Sequence, residues 1–165
     1  MGMKFQAALI CLIASLSSAC AGFHTSASTD ESIHADVTGT DQAIERFLMG
    51  RDLDPVEGAW GQDENLLEVV ITKNNFQIAS DYDYVGFVTH SDQPDWDRGD
   101  VKLLLRSTDT ANVFDGVWMT RYKSRRTMTF IVEQENLIQA SYIAKDGNSN
   151  FVRIRRIDPS FASIR

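Results

Sequence analysis

The first residue to weigh for chemistry is His90, which has Asp92 two positions further on. A histidine oriented by a carboxylate acts as a general base when a nucleophile lies within hydrogen-bond reach. Serine, threonine and aspartate are plentiful, but the chain has no Gly-x-Ser-x-Gly elbow and no His-Glu-x-x-His pair. The other histidines, His24 and His34, fall in a polar N-terminal run. His90 therefore reads as a surface residue at a strand end, and no enzyme is expected. The stretch "SDQPDWDRGD" gathers Asp92, Asp95, Asp97 and Asp100. Calcium takes roughly six to eight oxygen ligands, and a calcium loop beginning at Asp95 would need glutamate where Arg106 stands. The stretch reads as a solvated acidic loop, with Arg98-Gly99-Asp100 as a tight turn. Neither metal nor cofactor is expected.

The two cysteines bear on location instead. Cys11 lies in the uncharged run "FQAALICLIASL", residues 5–16, which follows Lys4 and is too short to span a bilayer. Residues 1–19 fit a signal peptide. The run "SSACAG" then resembles the lipobox of bacterial lipoproteins, which implies lipidation, as with palmitate, of Cys20 as the new N-terminus. Such boxes carry leucine three places before the cysteine, where Ser17 stands here; Leu16 lies one step earlier. Ordinary cleavage after Ala19 or Ala21 is the alternative, giving a soluble secreted or periplasmic protein. Ala21 after the cysteine resembles the signal for outer-membrane sorting, which implies the periplasmic side of that membrane. No cysteine follows Cys20, so the folded part has neither a disulfide nor a thiolate site.

Removing Lys4 with the signal takes the formal charge from −7 to −8. An acidic chain is repelled by phosphate backbones and anionic headgroups. Nucleic acid is thus excluded, and membrane attachment is expected through the N-terminal lipid, not surface charge. Residues 20–40 are rich in Ser, Thr, Ala and Asp without an apolar period, as in a flexible tether. The folded domain is expected over 41–165.

In it, Thr40 or Asp41 can cap a short helix whose apolar stripe is Ile44, Phe47 and Leu48, ended by Gly50. After Pro55 the period becomes two. Strands are predicted near 57–62, 66–73, 76–80, 84–90, 100–107, 113–123, 126–134, 137–143 and 150–157. Eight or nine short strands without an intervening helix predict an all-β antiparallel up-and-down barrel, with a β-sandwich as the alternative. Met128, Phe130 and Val132 share one face, as do Leu67, Val69 and Ile71, or Val152 and Ile154.

A helix, a turn and then Gly58-x-Trp60 resembles the opening of lipocalins and related calycins. The resemblance implies that Trp60 closes one barrel end against an arginine of the last strand, for which Arg153, Arg155 and Arg156 are available and Arg155 is preferred. Trp60 as an ordinary core residue is the other reading. The segments "LDPVEGAW", "GDVKLLLRST", "DGVWM", "ENLIQASY" and "VRIRRIDP" also resemble an uncharacterised exported β-domain that opens with Leu-Asp-Pro-x-Glu-Gly-x-Trp. That likeness implies no activity.

Two functions follow. One is a lipid-anchored envelope protein that holds a small apolar or amphipathic ligand, with Trp60, Trp118 and Arg155 closing the barrel or facing the ligand. The alternative is a structural protein with a filled barrel and an envelope protein partner. Leu67, Val69, Ile71, Val101, Leu103 and Leu105 are inward candidates large enough to favour filling. Gly116, if inward, leaves room beside Trp118.

Overall fold

The structure is a computed structural model and describes residues 35–62, 66–76, 78–134 and 136–157. The signal peptide, Cys20 and most of the expected tether lie outside the described residues. One helix, α1 (Thr40–Phe47), precedes eight strands: β1 (Gly58–Gln62), β2 (Leu67–Lys73), β3 (Tyr84–Ser91), β4 (Val101–Ser107), β5 (Val113–Met119), β6 (Arg125–Gln134), β7 (Leu137–Ile143) and β8 (Ser149–Arg156). Each strand pairs antiparallel with the next and β8 returns to β1, closing an up-and-down barrel. This matches the predicted fold class and is consistent with a calycin-like fold; the sandwich alternative is excluded.

Two of the predicted elements differ. Of the predicted strand 76–80, the described residues 76 and 78–80 form no strand, because Asn74 replaces the ladder: its Nδ2 donates to the carbonyls of Ile78 and of Tyr82, the latter at 2.9 Å. Phe76 instead packs edge-on against Phe47 and Phe87 outside the barrel. The predicted strand 113–123 stops at Met119, where Arg121, Tyr122 and Lys123 make a three-residue hairpin loop. The Thr120 and Lys123 amides donate to the carbonyls of Ser124 and Thr120, each at 2.9 Å, and Lys123 takes the left-handed conformation at φ 57°.

The helix caps differently from expectation too. Gly39 is the N-cap, and neither Thr40 nor Asp41 supplies a side-chain cap. Gln42 Oε1 accepts from the Thr38 amide at 2.6 Å, while Thr40, already helical, donates its one hydroxyl proton to Glu68 and stands in hydrogen-bond reach of the Thr89 hydroxyl at 2.8 Å. Beyond the Leu48 C-cap, Gly50 turns the chain at φ 71°. The end of the expected tether is docked on the domain: Val37 is buried, and the Ala35 amide donates to Gly99 O at 2.8 Å.

Two apolar layers result. Trp60, Ile71, Leu103, Leu105, Phe130 and Ile138 fill the interior with others. Ala43, Ile44, Phe47 and Leu48 cover Val70, Val85, Phe87 and Leu104 on the outer face of β1 to β4. That second layer is why β2 and β3 are buried on both faces, whereas β6 alternates with Met128, Phe130 and Val132 inward. With an apolar interior and a largely polar outer face on β6 to β8, the barrel is the inverse of a transmembrane one.

Val101 is not inward. The register shifts between Gly86, opposite Leu103, and Phe87, opposite Val101, and this bulge sends Val101 to the outer layer and Lys102 to the inner one. Nor does Gly116 leave room. A Cβ there would press on the Leu104 carbonyl, Leu105 Cδ2 and Phe130 Cε2, so the strand crossing already occupies the space.

Candidate binding site at the open end

The topology gives the barrel two unlike ends. At one end the incoming segment 51–57 meets the start of β1 and the end of β8. Trp60 is fully buried there and its Nε1 donates to Val56 O at 3.0 Å. An arginine of β8 does lie over the indole, with Cζ 4.5 Å from the ring centroid, but it is Arg156. Arg155, preferred from the sequence, is exposed on the outer face. Strand phase explains the difference: Val152, Ile154 and Arg156 alternate on the inner side, and Arg155 cannot share it. Arg156 also donates to the carbonyls of Glu57 and Pro55, each at 3.0 Å. Gly58 is required beside it, since φ is 150° and a Cβ would collide with the guanidinium.

Glu57 completes this end. Its carboxylate has no solvent exposure and accepts from Arg51, from the Lys73 amide at 3.0 Å and from the Asp54 amide at 3.1 Å. The Glu-Gly-x-Trp phrase thus reads as a closure device: the Glu57 carboxylate ties the 51–57 turn to β2, and the Glu57 carbonyl and the Trp60 ring hold Arg156 of β8. Beside it lies an open groove of about 580 Å³ containing Asp54, Lys73, Asp83 and Tyr84. These groups serve one another. Tyr84 donates to Asp54 at 2.8 Å and Lys73 pairs with Asp54 at 3.2 Å. Burial and then the Asp54 bond push the Tyr84 hydroxyl well above its ordinary value; the Tyr84 bond, outweighing partial burial, holds Asp54 below its own.

At the other end β1 finishes and β2 begins, and the β3–β4, β5–β6 and β7–β8 turns lie there. Trp118 stands inward here, stacked on Phe130 at 6.5 Å. Two residues not singled out from the sequence join it. Trp96, only 5% exposed, folds in from the acidic β3–β4 loop, and Lys102 extends between the indoles. Lys102 Nζ is 3.8 Å from the Trp96 centroid and 4.8 Å from that of Trp118, and donates to Met119 O at 2.8 Å. Burial, helped by the nearby Lys123 charge, pushes the Lys102 amine down to about 7. Lys123 Nζ also lies over Trp96, at 3.9 Å, and pairs with the buried Asp100. Met119, Tyr142 and Val152 are partly buried around this cluster. Trp96 Nε1 is buried without a hydrogen-bond partner among the described residues. The arrangement is a buried one, with Trp96, Lys102 and Trp118 each less than 8% exposed, and among the described residues it holds one ammonium with a single hydrogen-bond acceptor between two indoles.

The acidic stretch is therefore less solvated than expected. Asp100 holds Lys123 and the Asp97 amide, the latter at 2.9 Å, and Arg98 donates to Thr38 O at 2.9 Å from the expected tight turn. His90 is half-exposed at the end of β3, with Nε2 3.1 Å from Asp92 Oδ1. Among the described residues no group of His, Cys, Asp and Glu is arranged to hold a metal.

Of the expected site residues, the structure places Trp60 at the closed end, Trp118 at the open end and Arg155 outside both. A tryptophan in so polar a loop was the readable signal for Trp96. Lys102 gave none, because its side depends on a bulge set by pairing with β3. Comparison of the chain with family models, with characterised proteins and with solved structures finds no match.

Proposed function

We propose that this is an exported, lipid-anchored binding module of calycin-like fold, related to the exported Leu-Asp-Pro-x-Glu-Gly-x-Trp domains, that takes a small anionic amphiphile at the open end of its barrel. The supporting observation is the Lys102 ammonium set between Trp96 and Trp118 beneath a fringe of partly buried side chains. A buried amine with one hydrogen-bond acceptor can take a carboxylate or phosphate oxygen, while the indoles and Met119 receive the apolar portion. The filled interior makes the site shallow. The reading is of binding and not turnover, in keeping with the solvent-facing position of His90.

Titrating the protein with fatty acids and lysophospholipids while following tryptophan emission is expected to show saturable binding at micromolar concentration, about −8 kcal/mol. The amine is protonated below its pKa, so affinity should rise as the pH falls through about 7. Lys102→Met should weaken binding roughly tenfold or more, the scale of a charge-assisted hydrogen bond. A flat titration on both sides of that pH would remove the ligand reading. The filled interior then favours the second one, a structural or interaction protein whose outer surface is what it uses.

Anchoring is tested separately. Cys20→Ser is expected to move the protein from the membrane to the soluble envelope fraction and to abolish fatty-acid labelling. Labelling that persists in the variant, or wild type that is never labelled, would return the chain to ordinary signal cleavage.

A further inference from the structure

The net charge conceals a division. Residues 35–118 hold seventeen Asp and Glu against six Lys and Arg, whereas residues 119–157 hold three against eight. The acidic groups of the first part lie mostly in α1 and in the segments between strands β1 to β5, and the basic groups of the second lie in the β5–β6 turn, β6, the β7–β8 turn and β8. At the open end the basic half presents Arg121, Arg125, Arg126 and Lys145, none of them in an ion pair among the described residues. The same turns present Tyr122, 75% exposed, and Ile143, 79% exposed. The Arg121 guanidinium lies 4.6 Å from the Tyr122 ring and that of Arg126 4.3 Å from the Tyr142 ring, so cations and apolar surface are offered together.

The chain before residue 35 joins the domain at this end. Ala35 is bonded to Gly99 of the β3–β4 loop, and Thr40 to Glu68 and Thr89 at the adjacent ends of β2 and β3. From these two observations we infer that the open end of the barrel, on the side of its β5–β6 and β7–β8 turns, docks on an anionic lipid bilayer, with Tyr122 and Ile143 entering the headgroup layer and the arginines on lipid phosphates. Asp92, Asp95 and Asp97 on the opposite rim tilt the barrel so that the basic side bears on the surface. The inference revises the expectation drawn from net charge, which averages the two halves. It does not rest on the ligand reading, and the exposed arginines with Tyr122 and Ile143 carry it whether or not Cys20 is acylated.

The test uses residues 21–165 produced without the signal and therefore without an acyl chain; residues 35–157 contain the closed sheet and both apolar layers. Sedimentation with vesicles of phosphatidylcholine, with and without phosphatidylglycerol, is expected to recover the protein on the mixed vesicles alone, and less of it as salt is raised. Arg121→Gln and Arg125→Gln should each weaken partitioning about fivefold, from roughly 1 kcal/mol per basic residue near an anionic surface. Arg106→Gln, on β4 at the far end, should leave it unchanged, and Tyr122→Ser should reduce it. No sedimentation at low salt would overturn the inference, as would equal binding to pure phosphatidylcholine or an equal loss in the Arg106 variant. So would concentration-dependent dimers in sedimentation velocity without vesicle binding, which would show that the basic half meets the acidic half of a second copy.

Discussion

Replacing Trp60 with alanine is expected to lower stability by about 3–5 kcal/mol, the range for truncating a fully buried aromatic. The indole has no solvent exposure, satisfies Val56 O and forms the floor on which Arg156 lies. Arg156→Ala should cost about 1–2 kcal/mol, because it removes the cation over the ring and the bonds to Pro55 O and Glu57 O. The two losses should not add, since each substitution removes what the other residue packs against. Arg155→Ala, on the outer face, should stay within about 0.5 kcal/mol. Urea unfolding of the two single variants and the double variant measures the coupling. Additive losses would reduce Trp60 to a core residue like any other and leave the closure device without its central pair.

Glu57 supplies the second large effect. Glu57→Ala is expected to destabilise by about 3 kcal/mol or more, because it strands the Lys73 and Asp54 amides and removes the partner of Arg51. Arg51 is 30% exposed, so water can take over part of its solvation, and Arg51→Ala should be milder than Glu57→Ala. That order is the informative result. If the two variants lost equally, the ion pair would be the main contribution; if Glu57→Ala were neutral, the carboxylate would not be holding the turn at all.

How much of this was readable beforehand differs by element. The barrel was legible because strand period and turn chemistry are local: Met128, Phe130 and Val132 alternate in any sheet that buries one face, and Lys145-Asp146-Gly147 turns the chain wherever it stands. The segment 76–80 misled because Phe76 and Ile78 alternate like a strand, while the Asn74 side chain satisfies the backbone of that stretch. Trp60 stands out in the sequence through its glycine, and it is buried beneath an arginine of β8. Its arginine was misassigned even though the phase of Val152 and Ile154, already read as inward, points to Arg156. The open-end cluster was the least legible part. Lys102 faces inward only because β3 and β4 slip by one residue, and a slip is a property of two strands together. The division of charge was present in the sequence but had no meaning until the fold put residues 119–157 on one side.

The seam of the barrel carries one more consequence, in the order of events by which the chain takes shape. Among the described residues β1 and β8 pair through Trp60 opposite Arg156 and Gly61 opposite Arg155, extended by the Ile157 amide on Ala59 O, whereas β2 and β3 pair along their whole length. The pairing that closes the sheet joins the first strand to the last, so every other hairpin can form from near neighbours while this one waits for the end of the chain. Until residue 156 is available, the sheet keeps two free edges and Trp60 has neither its cation nor its neighbouring strand. Closing the sheet is therefore the pairing with the longest loop to close, and a chain that ends before Arg156 cannot make it.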